Sequence, residues 1–364
     1  MARYVFVTWD GGGNRMPTIA IARALVQRGH EVRVLGHDSQ AGSYRAAGLR
    51  FTAFASAPGF VLDPRPAGML RLFTDPGLAD DTLSQLAADP ADVVVVDCML
   101  LTVADVLDRM GQTFVLLEHT MHGFLAPGFR VLGALAWPRN VRVGRPRKHA
   151  APILVASVPG LAAPFPPQPK LSAVRGAIVY AGAMTAAVAA APTEATVAVS
   201  LSTFRFTDLA ATWRRVLEAV DGLDAHVVAT LGPAMTAGEV AVPAGVEVHQ
   251  WMPHEDVFPR ATLVVGHGGH GTTLAALAHG VPVLVLPLDA TSDQPRMGRA
   301  VARAGVGATM SRRSQPALIR RAVEDALADD RMHARAKRLG AAIRTWDGPG
   351  RAADVLELSA SVAR

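Results

Sequence analysis

The stretch that decides the fold runs Thr262-Leu263-Val264-Val265-Gly266-His267-Gly268-Gly269-His270-Gly271-Thr272-Thr273. Its first four residues read as a buried strand. The glycines and histidines that follow read as a tight loop, and the apolar run to His279-Gly280 reads as a helix closed by a glycine C-cap. A glycine cluster between a strand and a helix bares backbone N–H groups, and the helix dipole adds positive potential. Together they make an anion site suited to two phosphates. Thr272 and Thr273 can add hydroxyl donors, and His267 an N–H or a positive charge. A turn whose glycines serve only helix–strand packing is the plain alternative, weakened by the company of Trp251, Asp293 and Gln294.

Outward from that loop, the second half of the chain alternates strands and helices. Thr196–Ser200 reads as a strand and leads into the polar loop Ser200-Leu201-Ser202-Thr203. Asp208–Val220 reads as a helix, and His226–Thr230 and Val246–His249 as strands. Val283–Pro287 is a further strand, Asp289–Pro295 a polar turn, and a helix runs on to Ala304. The first half has the same layout. A strand at 3–8 enters Gly11-Gly12-Gly13. Pro17 stands where a helix would begin, its missing N–H costing nothing there, and the helix Thr18–Arg28 stops at Gly29. His30–Leu35 is the next strand. Residues 91–97, Ala-Asp-Val-Val-Val-Val-Asp, are an unalternating valine run that suits a parallel strand buried on both faces. A helix over 100–110 and a strand Thr113–Leu117 follow. Residues 124–150 break the pattern, with Arg130, Arg139, Arg142, Arg145, Arg147 and Lys148 crowded among Pro127, Pro138 and Pro146. They read as a surface loop, or as a mobile lip over a substrate cleft. Ile153–Val158 and Ala177–Tyr180 are short apolar segments, and alanine-rich Ala183–Ala195 reads as a linker. The expected class is α/β, with two doubly wound domains facing each other across a cleft and ligands outside the carboxyl ends of the strands.

Composition narrows the function. Half of the 364 residues are apolar, ample for two cores. The single cysteine, Cys98, excludes a disulfide framework and a cysteine-based zinc site, and a reducing, cytoplasmic compartment fits. The net charge of +5 rests on 36 basic residues, nearly all arginine, which suits an anionic small ligand or a nucleic acid. Aromatic residues make up only 5% and are not interleaved with the arginines, so a stacking platform for nucleic acid is not expected. Tyr4-Val5-Phe6-Val7 reads as a strand rather than a signal peptide, and no apolar stretch is long enough to span a bilayer.

Trp251-Met252-Pro253, then His267-Gly268-Gly269-His270-Gly271-Thr272, then Asp293-Gln294 resembles the donor-binding signature of the family 1 glycosyltransferases of GT-B fold, which include antibiotic-tailoring enzymes. Tyr180-Ala181-Gly182 and Ser200–Thr203 support the resemblance over nearly the whole chain. It implies two Rossmann-like domains: 1–182 for the acceptor, a linker 183–195, 196–350 for the nucleotide sugar, and a last helix, 351–364, crossing back to the first domain. It implies that Trp251, with Met252 beside it, flanks the nucleobase. His267, Gly269 and Thr272 would hold the diphosphate within the run that also contains Gly268, His270 and Gly271. Asp293 and Gln294 would bind sugar hydroxyls, and Ser202 and Thr203 would lie near the diphosphate or sugar. No metal and no cofactor are implied beyond the nucleotide-sugar co-substrate. Two departures stand out. Ala275 replaces a glutamate that grips ribose hydroxyls, which favours a dTDP-sugar over a UDP-sugar. Met297 replaces an asparagine, in a segment two residues longer than usual.

Inverting transfer needs a base for the acceptor hydroxyl, and histidine is the usual one. The family places it three residues before the helix-starting proline. Here that residue is Asn14, which cannot usefully take a proton, while the family's orienting aspartate is matched by Asp97. Asp10 in the same loop is the first choice to replace the base, ahead of His119 and His122. Asp97 would then position the acceptor or the loop. Gly12, Gly13, Asn14 and His122 are expected around the acceptor, a small hydrophobic natural product. A catalytically silent helper protein of the same fold is the second reading, and a sugar-nucleotide epimerase the third. The run Gly11-Gly12-Gly13 does not complete a dinucleotide fingerprint, since Met16 stands where its third glycine belongs. Oligomeric state, including a homodimer, stays open.

Overall fold

The computed structural model describes residues 1–57, 65–161 and 174–363. The chain forms two compact units. One comprises Met1–Ser157, Gln168–Met184 and Asp347–Arg364, the other Val158–Pro167 and Thr185–Trp346.

The first unit is built on seven parallel strands: β1 (Arg3–Val7), β2 (Glu31–Gly36), β3 (Arg50–Ala53), β4 (Val93–Asp97), β5 (Phe114–Glu118), β6 (Ile153–Val155) and β7 (Ile178–Tyr180). Their order is β3-β2-β1-β4-β5-β6-β7. The valine run of β4 has a direct cause. Val93 and Val95 pack with Tyr4 and Phe6 in the core on one face. Val94 and Val96 pack with Val5 and Val7 on the other. Alternate side chains point to opposite faces and both faces are covered, so no position favours a polar residue. The strand order reverses between β1 and β4, whose register pairs Val7 with Val96. The loops after these two strands therefore emerge side by side at the carboxyl ends, where ligands of such sheets bind.

The second unit repeats this plan with six strands: β8 (Thr196–Ser200), β9 (His226–Thr230), β10 (Val246–His249), β11 (Leu263–Gly266), β12 (Val283–Val285) and β13 (Gly307–Thr309). The order is β10-β9-β8-β11-β12-β13. Its reversal falls between β8 and β11, and Gly266 pairs with Ser200. This register sets the loop after Ser200 beside the glycine loop.

Several expectations need correction. The first helix is Arg15–Gln27, so Pro17 lies two residues inside it rather than at its start. Proline is accommodated there because the first-turn N–H groups have no intrahelical acceptor. Residues 124–150 are not a loop. They form the helix His122–Ala136, which contains Pro127, the 3-10 turn Trp137–Arg139 and the helix Gly144–His149. Buried acids elsewhere in the unit fix the segment. Arg142 Nε lies 2.9 Å from Asp105 Oδ1 and Arg147 Nη2 2.6 Å from Glu118 Oε1. Asp108 takes both Arg145 Nε at 3.0 Å and His149 Nδ1 at 2.6 Å. Among the described residues, six helices have no counterpart in the sequence reading: Ala41–Ala46, Pro66–Phe73, Pro76–Ala88, His254–Val257, Pro316–Ala328 and Asp330–Arg344.

The last helix, Gly348–Ala363, belongs to the first unit. Ala352, Ala353, Val355, Leu356 and Ala360 join the same core as Tyr4 and Phe6. On its outer side Arg28 Nη1 reaches Asp354 Oδ1 at 2.6 Å and Glu357 Oε2 at 2.9 Å.

Candidate functional site

In the second unit, Gly268 turns the chain from β11 into the helix His270–His279. Its φ is +84°, and a Cβ there would meet Val285 Cγ1 at 2.7 Å and the Gln294 carbonyl oxygen at 3.0 Å. Only glycine fits. Gly269 is the N-cap, with no side-chain cap and no acidic residue in the first turn. The first ladder bond closes at Thr273 N to Gly269 O. The amides of the exposed Gly271 and the half-buried Thr272 precede it and have no i−4 acceptor. They point positive potential outward.

The His267 ring is lowered to about 4, by burial first and by repulsion from His254 second, against a hydrogen bond to the Leu201 backbone. It is neutral at pH 7, which corrects the option that it brings a resident positive charge. Its Nδ1 is buried with no hydrogen-bond partner. His254 is likewise lowered to about 4, by burial and then by His279. It stacks on Phe258 with ring centroids 4.4 Å apart.

Trp251 is no core residue: it is 62% exposed. The loop carrying it is pinned by Gln250 Nε2, which donates to Gly232 O at 2.6 Å and Met235 O at 2.7 Å. Met252 is half-buried beside it. Such an indole offers a flat face on a fixed support. Ser202 is buried, and its Oγ accepts from Phe204 N at 2.9 Å, while Thr203 is exposed. Asp293 is half-buried at the start of the helix Gln294–Ala304. Gln294 departs from expectation. It is buried, and its Oε1 accepts from Leu288 N at 2.7 Å and Asp289 N at 3.0 Å. That oxygen shapes the loop after β12 and is already committed.

In the first unit, Asn14 is fully buried. Its Nδ2 donates to Thr8 Oγ1 at 3.2 Å, Trp9 O at 2.9 Å and Asp97 Oδ2 at 2.8 Å. It is thus an anchor for Asp97 and is not presented to an acceptor. Gly12 is half-exposed at φ +64° and Gly13 exposed, so the rim of this loop is bare backbone. Asp97 Oδ1 accepts from Met99 N at 3.0 Å, and Oδ2 faces His119 Nδ1 at 3.4 Å. Burial alone would raise the Asp97 carboxyl. His119, the Asn14 amide and the Met99 N–H outweigh it and hold the group below the usual carboxylate range.

Two expectations change here. Asp10 is occupied at both oxygens, by Arg15 Nη2 at 2.9 Å and Ser39 Oγ at 2.7 Å. A histidine does face Asp97 after all: His119, from the loop after β5. His122 forms a second pair, with Nδ1 at 2.8 Å from Glu118 Oε2. Glu118 is fully buried and shared with Arg147. Sequence reasoning missed Arg15, Glu118, Arg147 and His254. Of these, Glu118 four residues before His122 carried a readable signal, since the spacing suits a side-chain pair.

Asp97, Cys98 and His119 also bring three donor atoms within 4.8 Å of one another. Burial raises the Cys98 thiol well above its ordinary value, and Asn14 already occupies Asp97 Oδ2. The donor set therefore suits a protonated thiol and a hydrogen-bonded carboxylate better than a cation.

Residues 214–357 match the family model described as the erythromycin biosynthesis protein CIII-like C-terminal domain. The chain is 25% identical to the 4'-demethylrebeccamycin synthase of Lentzea aerocolonigenes, over 98% of this chain and 99% of that protein. It is 34% identical to the sterol 3-beta-glucosyltransferase of Emericella nidulans over 39% of this chain, and the match spans only 10% of that longer protein. Among solved structures, the spinosyn rhamnosyltransferase complexed with thymidine diphosphate superposes with a TM-score of 0.74 at 21% identity, over 98% of this chain and 100% of that one.

Proposed function

We propose, from the premise that this chain is a GT-B homologue of the family 1, antibiotic-tailoring glycosyltransferases, that it moves a sugar from a nucleotide diphosphate to a small apolar natural product with inversion at the anomeric carbon. The observation that carries the reading is the glycine loop at the switch point of the second sheet, opening an uncapped helix N-terminus toward the carboxyl ends of the strands.

The Gly271 and Thr272 amides, the Thr272 hydroxyl and His267 would hold the diphosphate, and Trp251 would stack on the base. Asp293 and the Gln294 amide would bind sugar hydroxyls, the Gln294 oxygen being committed to Leu288 N and Asp289 N. A thymidine nucleotide is favoured, since Ala275 offers no carboxylate to a ribose 2′-hydroxyl and a relative of the same fold was captured with thymidine diphosphate.

The base is His119. Asp97 faces its Nδ1, and a histidine beside a buried carboxylate is suited to take the acceptor proton. The acceptor oxygen bonds to the anomeric carbon as the carbon–phosphate-oxygen bond breaks. The diphosphate leaves with the electron pair, held by the helix N-terminus. The acceptor proton passes to His119, and Asp97 stabilises the resulting imidazolium. The helix N–H groups meet the leaving charge, so the reading requires no metal.

A catalytically silent helper is the second reading, favoured by Asn14 at the family's base position. Calorimetric titration with dTDP and UDP, followed by assay of dTDP release from a dTDP-sugar, separates the two. Tighter dTDP binding and turnover that needs His119 are expected. Absence of nucleotide binding sinks both the donor assignment and the enzyme reading.

A further inference from the structure

The helix His122–Ala136 and the turn after it carry an apolar surface that the rest of the described chain leaves uncovered. Val131 is 61%, Leu135 49% and Trp137 72% exposed. Gly128 and Ala134 are exposed with them, whereas Phe129 and Ala136 on the opposite side are buried. At 3.6 residues per turn Val131, Ala134 and Leu135 share the outward face, and Arg130 lies along one edge of it. Single exposed apolar residues are ordinary. Three large ones within seven positions mark a contact surface.

Its charge indicates what it contacts. From His119 to Thr193 the sequence contains no aspartate or glutamate. Three arginines of this stretch, Arg142, Arg145 and Arg147, are neutralised by Asp105, Asp108 and Glu118. Arg130, Arg139 and Lys148 are exposed and take part in none of the described ion pairs. The result is an apolar helix ridge with Arg130 on the same helix and Arg139, whose Nη1 donates to Leu135 O, beside it.

We propose that this ridge docks the protein on an anionic lipid surface. The helix would lie in the plane of the headgroups, with Val131, Leu135 and Trp137 at the acyl boundary and Arg130, Arg139 and Lys148 on lipid phosphates. An indole is suited to that boundary, and basic residues beside an apolar helix face are the signature of interfacial rather than spanning contact. A ridge with flexible cations suits a soft, polyanionic plane. No helix of the described chain is long and apolar enough to cross a membrane, so contact is confined to the surface. The purpose rests on the proposed function. His122 opens this same helix and His119 precedes it by three residues, so docking brings the acceptor side of the first unit to the phase in which an apolar acceptor concentrates.

The test is co-sedimentation of the full chain with phosphatidylcholine vesicles, with and without phosphatidylglycerol. Binding should require phosphatidylglycerol and weaken as salt rises, and the tryptophan emission should shift to the blue. Arg130→Ala and Arg139→Ala should each cost about fivefold, the equivalent of roughly 1 kcal/mol per surface cation. Val131→Asp with Leu135→Asp should abolish binding. Because those side chains are exposed, thermal unfolding and dTDP titration should stay unchanged. No binding to anionic vesicles at low salt would overturn the proposal. So would binding indifferent to the Val131 and Leu135 changes, or a dimer in light scattering that Trp137→Ala dissolves in the absence of lipid binding. Vesicle binding that persists in a chain unable to bind dTDP would instead fault only the donor reading.

Discussion

Asp97 gathers the Asn14 amide, the Met99 N–H and the His119 ring around one buried carboxylate. A charged group so enclosed is stable only while these partners remain, and this is what supports the proposal of His119 as base. His119→Ala is expected to lower kcat by about 10²–10⁴, the usual worth of general-base help, with dTDP affinity kept. Asp10→Asn should cost far less, because Asp10 is bound to Arg15 and Ser39. Steady-state kinetics on the two variants decides between them, and a dead Asp10→Asn beside an active His119→Ala would return the role to Asp10. Two histidines of the second unit set an acid limit. His254 and His267 hold values of about 4 against an ordinary 6.5. Below pH 6.5 the unfolded chain takes up protons that the folded rings refuse until about pH 4. Stability therefore falls across that window, by roughly 1.4 kcal/mol per pH unit for each ring fully in transition. Urea unfolding of the second unit between pH 7 and 5 should show the loss, and His254→Gln should reduce its slope.

The helix His270–His279 presents an uncapped, acid-free N-terminus directly after a loop that only glycine permits. Gly271→Asp separates its two functions. A Cβ at Gly271 meets nothing, and a carboxylate in the first turn favours the helix by about 0.3–1 kcal/mol. The same charge repels a diphosphate. The variant should unfold no earlier than the parent yet bind dTDP more than tenfold more weakly, roughly the effect of losing one charge-assisted hydrogen bond. Unchanged dTDP affinity by calorimetry would remove the helix terminus from the donor site. The helix Gly144–His149 teaches a related lesson. Its four basic side chains look solvated in one dimension, but three of them reach buried acids on β5 and on the helix Leu101–Met110.

Across the whole molecule, the first unit is completed only by the end of the chain. Leu356 and Val355 are fully buried in the core with Tyr4 and Phe6. Leu356→Ala should destabilise the first unit by about 2–5 kcal/mol, the cost of a cavity in a packed core. Nucleotide affinity should persist, since every donor residue belongs to the second unit. Differential scanning calorimetry with and without dTDP reads both effects. A single transition shifted equally in both conditions, with affinity lost, would mean that the donor site depends on the first core.

Most strands, the glycine loop and the fold class were legible in the sequence alone, whereas the short edge strands β3 and β13 were not. β9 and β10 lie where the apolar runs begin and end, because hydrophobic period and turn residues act over a few neighbours. The loop after β11 was legible because positive φ and a crowded Cβ admit only glycine at Gly268. The loop expected over residues 124–150 was overturned, and Asp10 and Asn14 are engaged, by partners far along the chain, whereas Gln294 is held by Leu288 and Asp289 a few positions away. Asn14 meets Asp97 across 83 positions, Asp10 meets Ser39 across 29, and Arg147 meets Glu118 across 29. Which side chain faces which at the carboxyl ends of two adjacent strands depends on strand order and register. Those are fixed only when both faces of the sheet are buried. The sequence by itself therefore determined most strands and the glycine loop that the proposed donor site rests on. Tertiary structure decided which histidine meets the buried carboxylate, because that meeting exists only after β1, β4 and β5 are set side by side.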